Sequence, residues 1–313
     1  MRFGASVWPW RWDAPYDTGI TRIADAGFRA TELIAWNRTV LDEYYTPATI
    51  ASLRKLLADR DMVLSQFIVD NRGMASADPA VRGPAVDMFK KGVEVAAELG
   101  AGIINTVTHL PFEIQFPFIT DRPHVQTFSQ PVPSDLDWKR NYEEYVQTLI
   151  ECCEHAGAAG LTYSLEPHPF RYGANVEGLL RLIEAVDSPV LGVNLDPSHL
   201  FPVGDLPHIA VYRLAPHVVH CHFSDNDGET NVHWRPGMGK INWAHLMQAL
   251  KDTGFDGVIS LEFEDVPGVS RGVEDVPGVY KGNADATDEF VGEYETALAF
   301  LTGLADEVGL KVE

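Results

Sequence analysis

Short apolar runs recur eight times along the chain and alternate with longer stretches whose apolar residues fall at helical spacing. The runs are residues 3–7, 30–35, 63–69, 102–107, 161–165, 190–195, 218–223 and 258–263. Rich in Val, Ile and Leu, they have the composition of strands buried on both faces. Helices are predicted near 16–26, 47–60, 79–99, 137–157, 175–187, 205–214, 242–253 and 287–307. The third and last carry the clearest period, with Val86, Phe89, Val93, Ala96 and Ala97 in one and Phe290, Tyr294, Ala297, Leu298, Leu301 and Leu304 in the other. Turn signals precede the second, fourth and eighth strands at Asp25-Ala26-Gly27, Leu99-Gly100 and Asp252-Thr253-Gly254. Unbroken strand–helix alternation without a linker predicts one closed (β/α)8 barrel, a TIM barrel, over residues 1–313; a doubly wound open sheet is the alternative.

Four strand ends carry chemistry. Glu166 closes LTYSLE, Asp196 closes LGVNLD, His222 lies in HVVHCHF and Glu262 closes GVISLE, separated by 30, 26 and 40 residues. Parallel strands joined by helices aim their C-terminal ends at one face, so these side chains should converge. Two Glu, one Asp and one His suit a hard or borderline divalent cation, with Mn²⁺ preferred and Mg²⁺ as the alternative.

Two connections exceed the usual loop length, and both leave strand C-termini. One runs from 109 to about 135 and holds Phe112, Phe116, Phe118, Phe128 and His124; the other runs from 264 to about 285 and contains EDVPGV twice, at 264–269 and 274–279. Loops longer than about 15 residues are often lids, binding loops or partner contacts. The phenylalanines either pack on the barrel rim, or line a pocket for a bulky apolar group or dock another chain. The doubled EDVPGV reads as a drifted duplication in a turn-rich loop. Trp8, Trp10 and Trp12 follow the first strand and form either a stacking wall for a sugar or aglycone, or an interface patch.

Composition narrows the function classes. A formal charge of −21 disfavours nucleic acid, whose phosphates want a basic face. No apolar stretch reaches the roughly 18 residues of a membrane span, and no membrane association is expected. Cys152, Cys153 and Cys221 make no disulfide framework, which fits a reducing cytoplasm.

Taken together, Glu166-Pro167, Asp196-Pro197-Ser198-His199, His222-Phe223-Ser224-Asp225, Pro236-Gly237-Met238-Gly239 with Asn242-Trp243, and Glu262 resemble the xylose-isomerase-like barrel superfamily over nearly the full length. The resemblance implies that Glu166, Asp196, His222 and Glu262 hold a divalent ion and that His199 and Arg235 touch substrate oxygens. Such a site suits proton abstraction beside a carbonyl, with the ion stabilising the enediolate. Glu166 and Glu262 are the candidate acid and base, with His199, His109, His168 or Asp225 as substitutes. Trp8, Trp10, His168, Phe112, His124 and Arg235 are the candidate substrate contacts.

The expected substrate is a keto-sugar or glycoside. The aromatic loops favour a lyase that releases an aromatic aglycone from a 3-keto C-glycoside, resembling the barrel subunit of C-glycoside deglycosidases. The chain would then be an oligomer, with a small β-rich chain as a potential partner. The alternative is a sugar isomerase or epimerase, or an inosose-type dehydratase, acting on a small ketose. An apurinic endonuclease is disfavoured, because Asn231 stands where those enzymes place Asp and the second and third strands end without His.

Overall fold

The computed structural model describes residues 1–112, 131–264, 266–270 and 285–313, together with the backbone of two short strands at 275–276 and 279–280. Eight parallel strands close into a barrel in chain order: β1 (Arg2–Ser6), β2 (Ala30–Ala35), β3 (Val63–Val69), β4 (Ile103–Val107), β5 (Thr162–Glu166), β6 (Leu191–Leu195), β7 (Val218–Phe223) and β8 (Val258–Leu261). The seam joins β8 to β1 with Arg2 opposite Val258 and Ala5 opposite Leu261.

Helices α1 (Asp17–Asp25), α2 (Pro47–Asp59), α3 (Pro79–Leu99), α4 (Trp138–Ala158), α5 (Val176–Val186), α6 (Pro197–Leu200), α7 (Pro207–Leu214), α8 (Trp243–Asp252) and α9 (Asp288–Val308) occupy the connections. Most of the long helices begin where a side chain caps the first free amides. Thr46, Asp78, Asp137, Asn175, Asn242 and Thr287 each accept a bond from a backbone N–H in the first turn. Gly92 lets α3 sit close on the barrel, since a Cβ there would lie 2.4 Å from a Val69 methyl.

The expected barrel is present, with strand ends within one or two residues of those predicted. Three features lie beyond the sequence reading. A π-helical turn at Val40–Tyr44 follows β2, the short helix α6 follows β6 directly, and the second EDVPGV copy contributes to a hairpin of β9 (Asp275–Val276) and β10 (Val279–Tyr280). The apolar core lies mainly between the strands and the helix ring, where Phe89, Tyr163, Leu179, Leu246, Phe290 and Leu301 are sealed from solvent. Inside the barrel the picture changes: Glu32, Gln66, Asn105, Ser164, Asn194, His220 and Ser260 are all fully buried. Among the described residues no helix is long and apolar enough to cross a membrane.

Candidate active site

The strand tips bring Glu166, Asp196, His222 and Glu262 together, each offering one ligand atom within 4.8 Å of the others. Glu166 is the last residue of β5, Asp196 follows β6, His222 lies near the end of β7 and Glu262 follows β8. His222 Nδ1 stands 2.9 Å from Glu166 Oε1 and 2.7 Å from Glu262 Oε2. Asp196 Oδ1 caps α6 by accepting from Ser198 N at 2.7 Å, while its Oδ2 is buried with no hydrogen-bond partner.

Three carboxylates around one imidazole are electrostatically unsettled. Burial pushes Glu166 above the ordinary carboxylic acid range against the pull of His222, and the neighbouring Glu262 and Asp196 add to the rise. Burial raises Glu262 in the same way. Burial would raise Asp196 too, but the facing His199, His233 and His222 hold it down. Although burial opposes its charge, His222 is driven well above the usual imidazole range by Glu32, Glu166 and Glu262. Carboxylate oxygens left without donors, clustered about one imidazole nitrogen, form a donor set that fits a divalent cation.

Above this cluster lies a pocket of about 220 Å³ lined by Trp8, Trp36, His168, Phe170, His199, Asn231, His233 and Glu262, among others. Trp8 Nε1 donates to Glu262 Oε1 at 3.0 Å, and its ring meets His222 and Trp36 edge-on. His199 Nδ1 pairs with Asn231 Oδ1 at 2.8 Å, which leaves Nε2 3.4 Å from Asp196 and 3.9 Å from Glu166. The His168 and His199 rings lie 3.8 Å apart. Phe170 is held at φ 68, a left-handed conformation that costs a non-glycine residue about 1–2 kcal/mol. Such strain is common beside functional sites.

Several expected site residues lie elsewhere. Trp10 is only 1% exposed and packs on Tyr294 and Phe28, because the chain turns back on Val7 and sends successive tryptophans in different directions. Arg235 is drawn to Glu293 on α9, with Nε 2.5 Å from the carboxylate, and does not line the pocket. His109 is buried against Tyr145, and burial, with Arg171 adding its charge, brings its pKa down to about 3. It is therefore neutral and outside the pocket. Phe112 packs edge-on against Trp138 at the start of α4. Asp225 accepts from the Asn226, Gly237 and Ile241 amides and from Trp243 Nε1, so it anchors the 236–239 turn and is not free to act as a base. His124, Phe116, Phe118 and Phe128 lie outside the described residues.

The fold also brings in Trp36 and Glu32, which carried no expectation, and His233, a potential ligand only in the disfavoured endonuclease reading. Trp36 lines the pocket and stacks on Trp12 at 4.1 Å, and His233 approaches Asp196 to 3.7 Å. Glu32, inside β2, meets His222 Nε2 at 2.8 Å. Burial would raise the Glu32 carboxyl, but His222 and then His220 outweigh it and bring it to about 2.

A family described as Xylose isomerase-like TIM barrel matches residues 20–289. The chain belongs to that family. Within it, the chain is 28% identical over 258 residues to the uncharacterized protein MJ1311 of Methanocaldococcus jannaschii, covering 80% of this chain and 79% of that one. It is 25% identical over 265 residues to the D-psicose 3-epimerase of Agrobacterium fabrum, covering 82% of each. A crystal structure of D-psicose 3-epimerase in the presence of D-fructose superposes with a TM-score of 0.75 at 22% identity, covering 97% of this chain and 99% of that one. These relatives favour the isomerase and epimerase alternative over the C-glycoside lyase.

Proposed function

We propose that the protein is a divalent-metal-dependent epimerase or isomerase of a small keto-sugar, acting at the carbon beside the carbonyl. The observation that carries this reading is the convergence of Glu166, Asp196, His222 and Glu262 beneath a pocket of about 220 Å³. That volume is below the roughly 300–1,000 Å³ of pockets for drug-sized ligands and suits one sugar. The family relationship to D-psicose 3-epimerase supports the same reading.

Glu166, Asp196, His222 and Glu262 would hold the ion, with Mn²⁺ preferred for so carboxylate-rich a set and Mg²⁺ or Co²⁺ as alternatives. When bound, a divalent ion supplies the positive charge that makes a carbon acid beside a carbonyl ionisable. The protein's own residues do the rest. Glu166 and Glu262 come from strands separated by two others, so one carboxylate removes the proton and the other returns one. A cation lowers carboxylate basicity, and the burial of both groups works against that loss. Trp8 holds Glu262 in place, and His199, oriented by Asn231, faces the sugar oxygens. Trp8, Trp36 and Phe170 form the apolar wall that excludes water.

Of the aromatic residues behind the lyase reading, Phe116, Phe118 and Phe128 lie outside the described residues, Phe112 packs on Trp138 and Trp10 belongs to the core, while Trp8 lines the pocket. The deciding experiment offers ketohexoses and 3-keto aryl glycosides to the Mn²⁺-loaded protein in D₂O and follows them by NMR. Deuterium entering beside the ketose carbonyl, with inversion there and loss of both in Glu166→Gln, is expected. Aglycone release without exchange in any ketose overturns the epimerase reading.

A further inference from the structure

Beneath the strand-tip cluster, Glu32 is fully buried on β2 and surrounded by donors. Ser6 Oγ donates to Glu32 Oε1 at 3.0 Å, while Gln66 Nε2 and His222 Nε2 reach Oε2 at 2.5 and 2.8 Å. Gln66 is fixed in turn, since its Oε1 accepts from Ser164 Oγ at 3.3 Å and that hydroxyl accepts from Asn105 Nδ2 at 3.0 Å. The network therefore ties β1, β2, β3, β4, β5 and β7 together inside the barrel. An ionised carboxylate is acceptor-only, and a neutral imidazole carries one N–H and one lone pair. Carboxylates face both nitrogens, Glu32 at Nε2 and Glu166 and Glu262 at Nδ1. A cation shared with Glu166 and Glu262 takes the Nδ1 lone pair, and the single proton then stays on Nε2 facing Glu32.

We propose that Glu32 is a positioning residue that acts through His222, holding the proton on Nε2 and presenting Nδ1 to Glu166 and Glu262 as the ligating atom. This rests on the reading of the strand-tip cluster as a cation site. A carboxylate behind a ligating histidine fixes the ring and raises its basicity, and loss of such a partner costs about 10–100-fold in metal affinity. No other residue type fits as well: Gln at position 32 would set its own amide against the Gln66 amide and offer a single acceptor to three donors.

The test is Mn²⁺ binding, measured by competition with a chromophoric chelator and independent of turnover. Glu32→Gln should bind Mn²⁺ about 10–100-fold more weakly while melting cooperatively. The double variant Glu32→Gln/Gln66→Glu moves the carboxylate to β3, where the position-66 side chain already lies 3.0 Å from His222 Nε2, and should recover most of the affinity. Wild-type affinity in a folded Glu32→Gln protein overturns the proposal and leaves the cation site standing; a wild-type protein that binds no divalent ion overturns both. Nitrogen NMR of the wild-type protein loaded with diamagnetic Mg²⁺ decides without any variant. A proton on His222 Nε2 supports the proposal, and a proton on Nδ1 refutes it.

Discussion

Asp196→Asn separates the two tasks of that side chain. Asp196 Oδ1 caps α6 through Ser198 N at 2.7 Å, and Asn caps a helix as well as Asp does. The lone oxygen, Oδ2, lies buried without a hydrogen-bond partner, facing the cluster, and becomes an amide that cannot ligate a cation through nitrogen. Local structure is therefore kept while one ligand is lost. A ligand at a thousandfold excess over its Kd stabilises the folded state by about 4.1 kcal/mol. With an unfolding entropy of roughly 2.1 cal/mol/K per residue, the 313-residue chain unfolds with about 0.66 kcal/mol/K. Mn²⁺ should thus raise the wild-type Tm by about 6 °C. If Asp196→Asn lowers affinity about 100-fold, the same Mn²⁺ concentration is only a tenfold excess, worth about 1.4 kcal/mol and about 2 °C. Differential scanning calorimetry of chelator-stripped protein with and without Mn²⁺, backed by elemental analysis, measures both shifts. A full 6 °C shift in the variant, or none in the wild type, refutes the cation-cage argument.

Three more outcomes follow from the geometry. Trp10→Ala should cost about 3–5 kcal/mol of stability, as for other buried aromatics, with metal affinity unchanged in the folded fraction. Trp8→Phe removes the donor to Glu262 and should change stability by no more than about 1.5 kcal/mol while lowering metal affinity or turnover; calorimetry and metal titration on both variants check the ranking, and the reverse ranking defeats it. Stability of the metal-free protein should fall as pH rises from about 6.5 to above 7; below 6.5 the buried neutral His109 and His220, held down to about 3 and about 4, gain stability with rising pH and offset the fall. Glu166 is raised above its unfolded value of 4.5, so it loses stability as it ionises in the folded state. His222, raised above 6.5, contributes stability below that pH and loses it as the imidazole deprotonates. Saturating Mn²⁺ should flatten this slope, and a metal-free protein that gains stability over the range contradicts it.

The strand tips were legible because their apolar runs end in polar residues that a barrel must collect at one face. The ends of α3 and α8 were legible because Leu99-Gly100 and Asp252-Thr253-Gly254 stand where each helix stops. What escaped was set by contacts between residues far apart in sequence. Nothing near Arg235 announces Glu293, and nothing in the spacing of Trp8, Trp10 and Trp12 tells which way each turns once the chain bends at Val7. Glu32 had a signal that went unread: Glu32, Gln66, Asn105, Ser164, Asn194, His220 and Ser260 each put a fully buried polar residue inside a mostly apolar strand. Read strand by strand they look like blemishes in a buried run, and only their recurrence marks a polar layer inside the barrel.

The cluster and the two indoles of the pocket wall draw on different arcs of the barrel. Strands β5 to β8 supply Glu166, Asp196, His222 and Glu262, whereas the indole wall follows β1 and β2 as Trp8 and Trp36. On the proposed function, a change at Trp8 or Trp36 alters the apolar side of the pocket while the four residues of the cluster stay in place. Trp8 crosses that boundary through its bond to Glu262, so position 8 is where a shift in substrate taste would be felt by the chemistry as well.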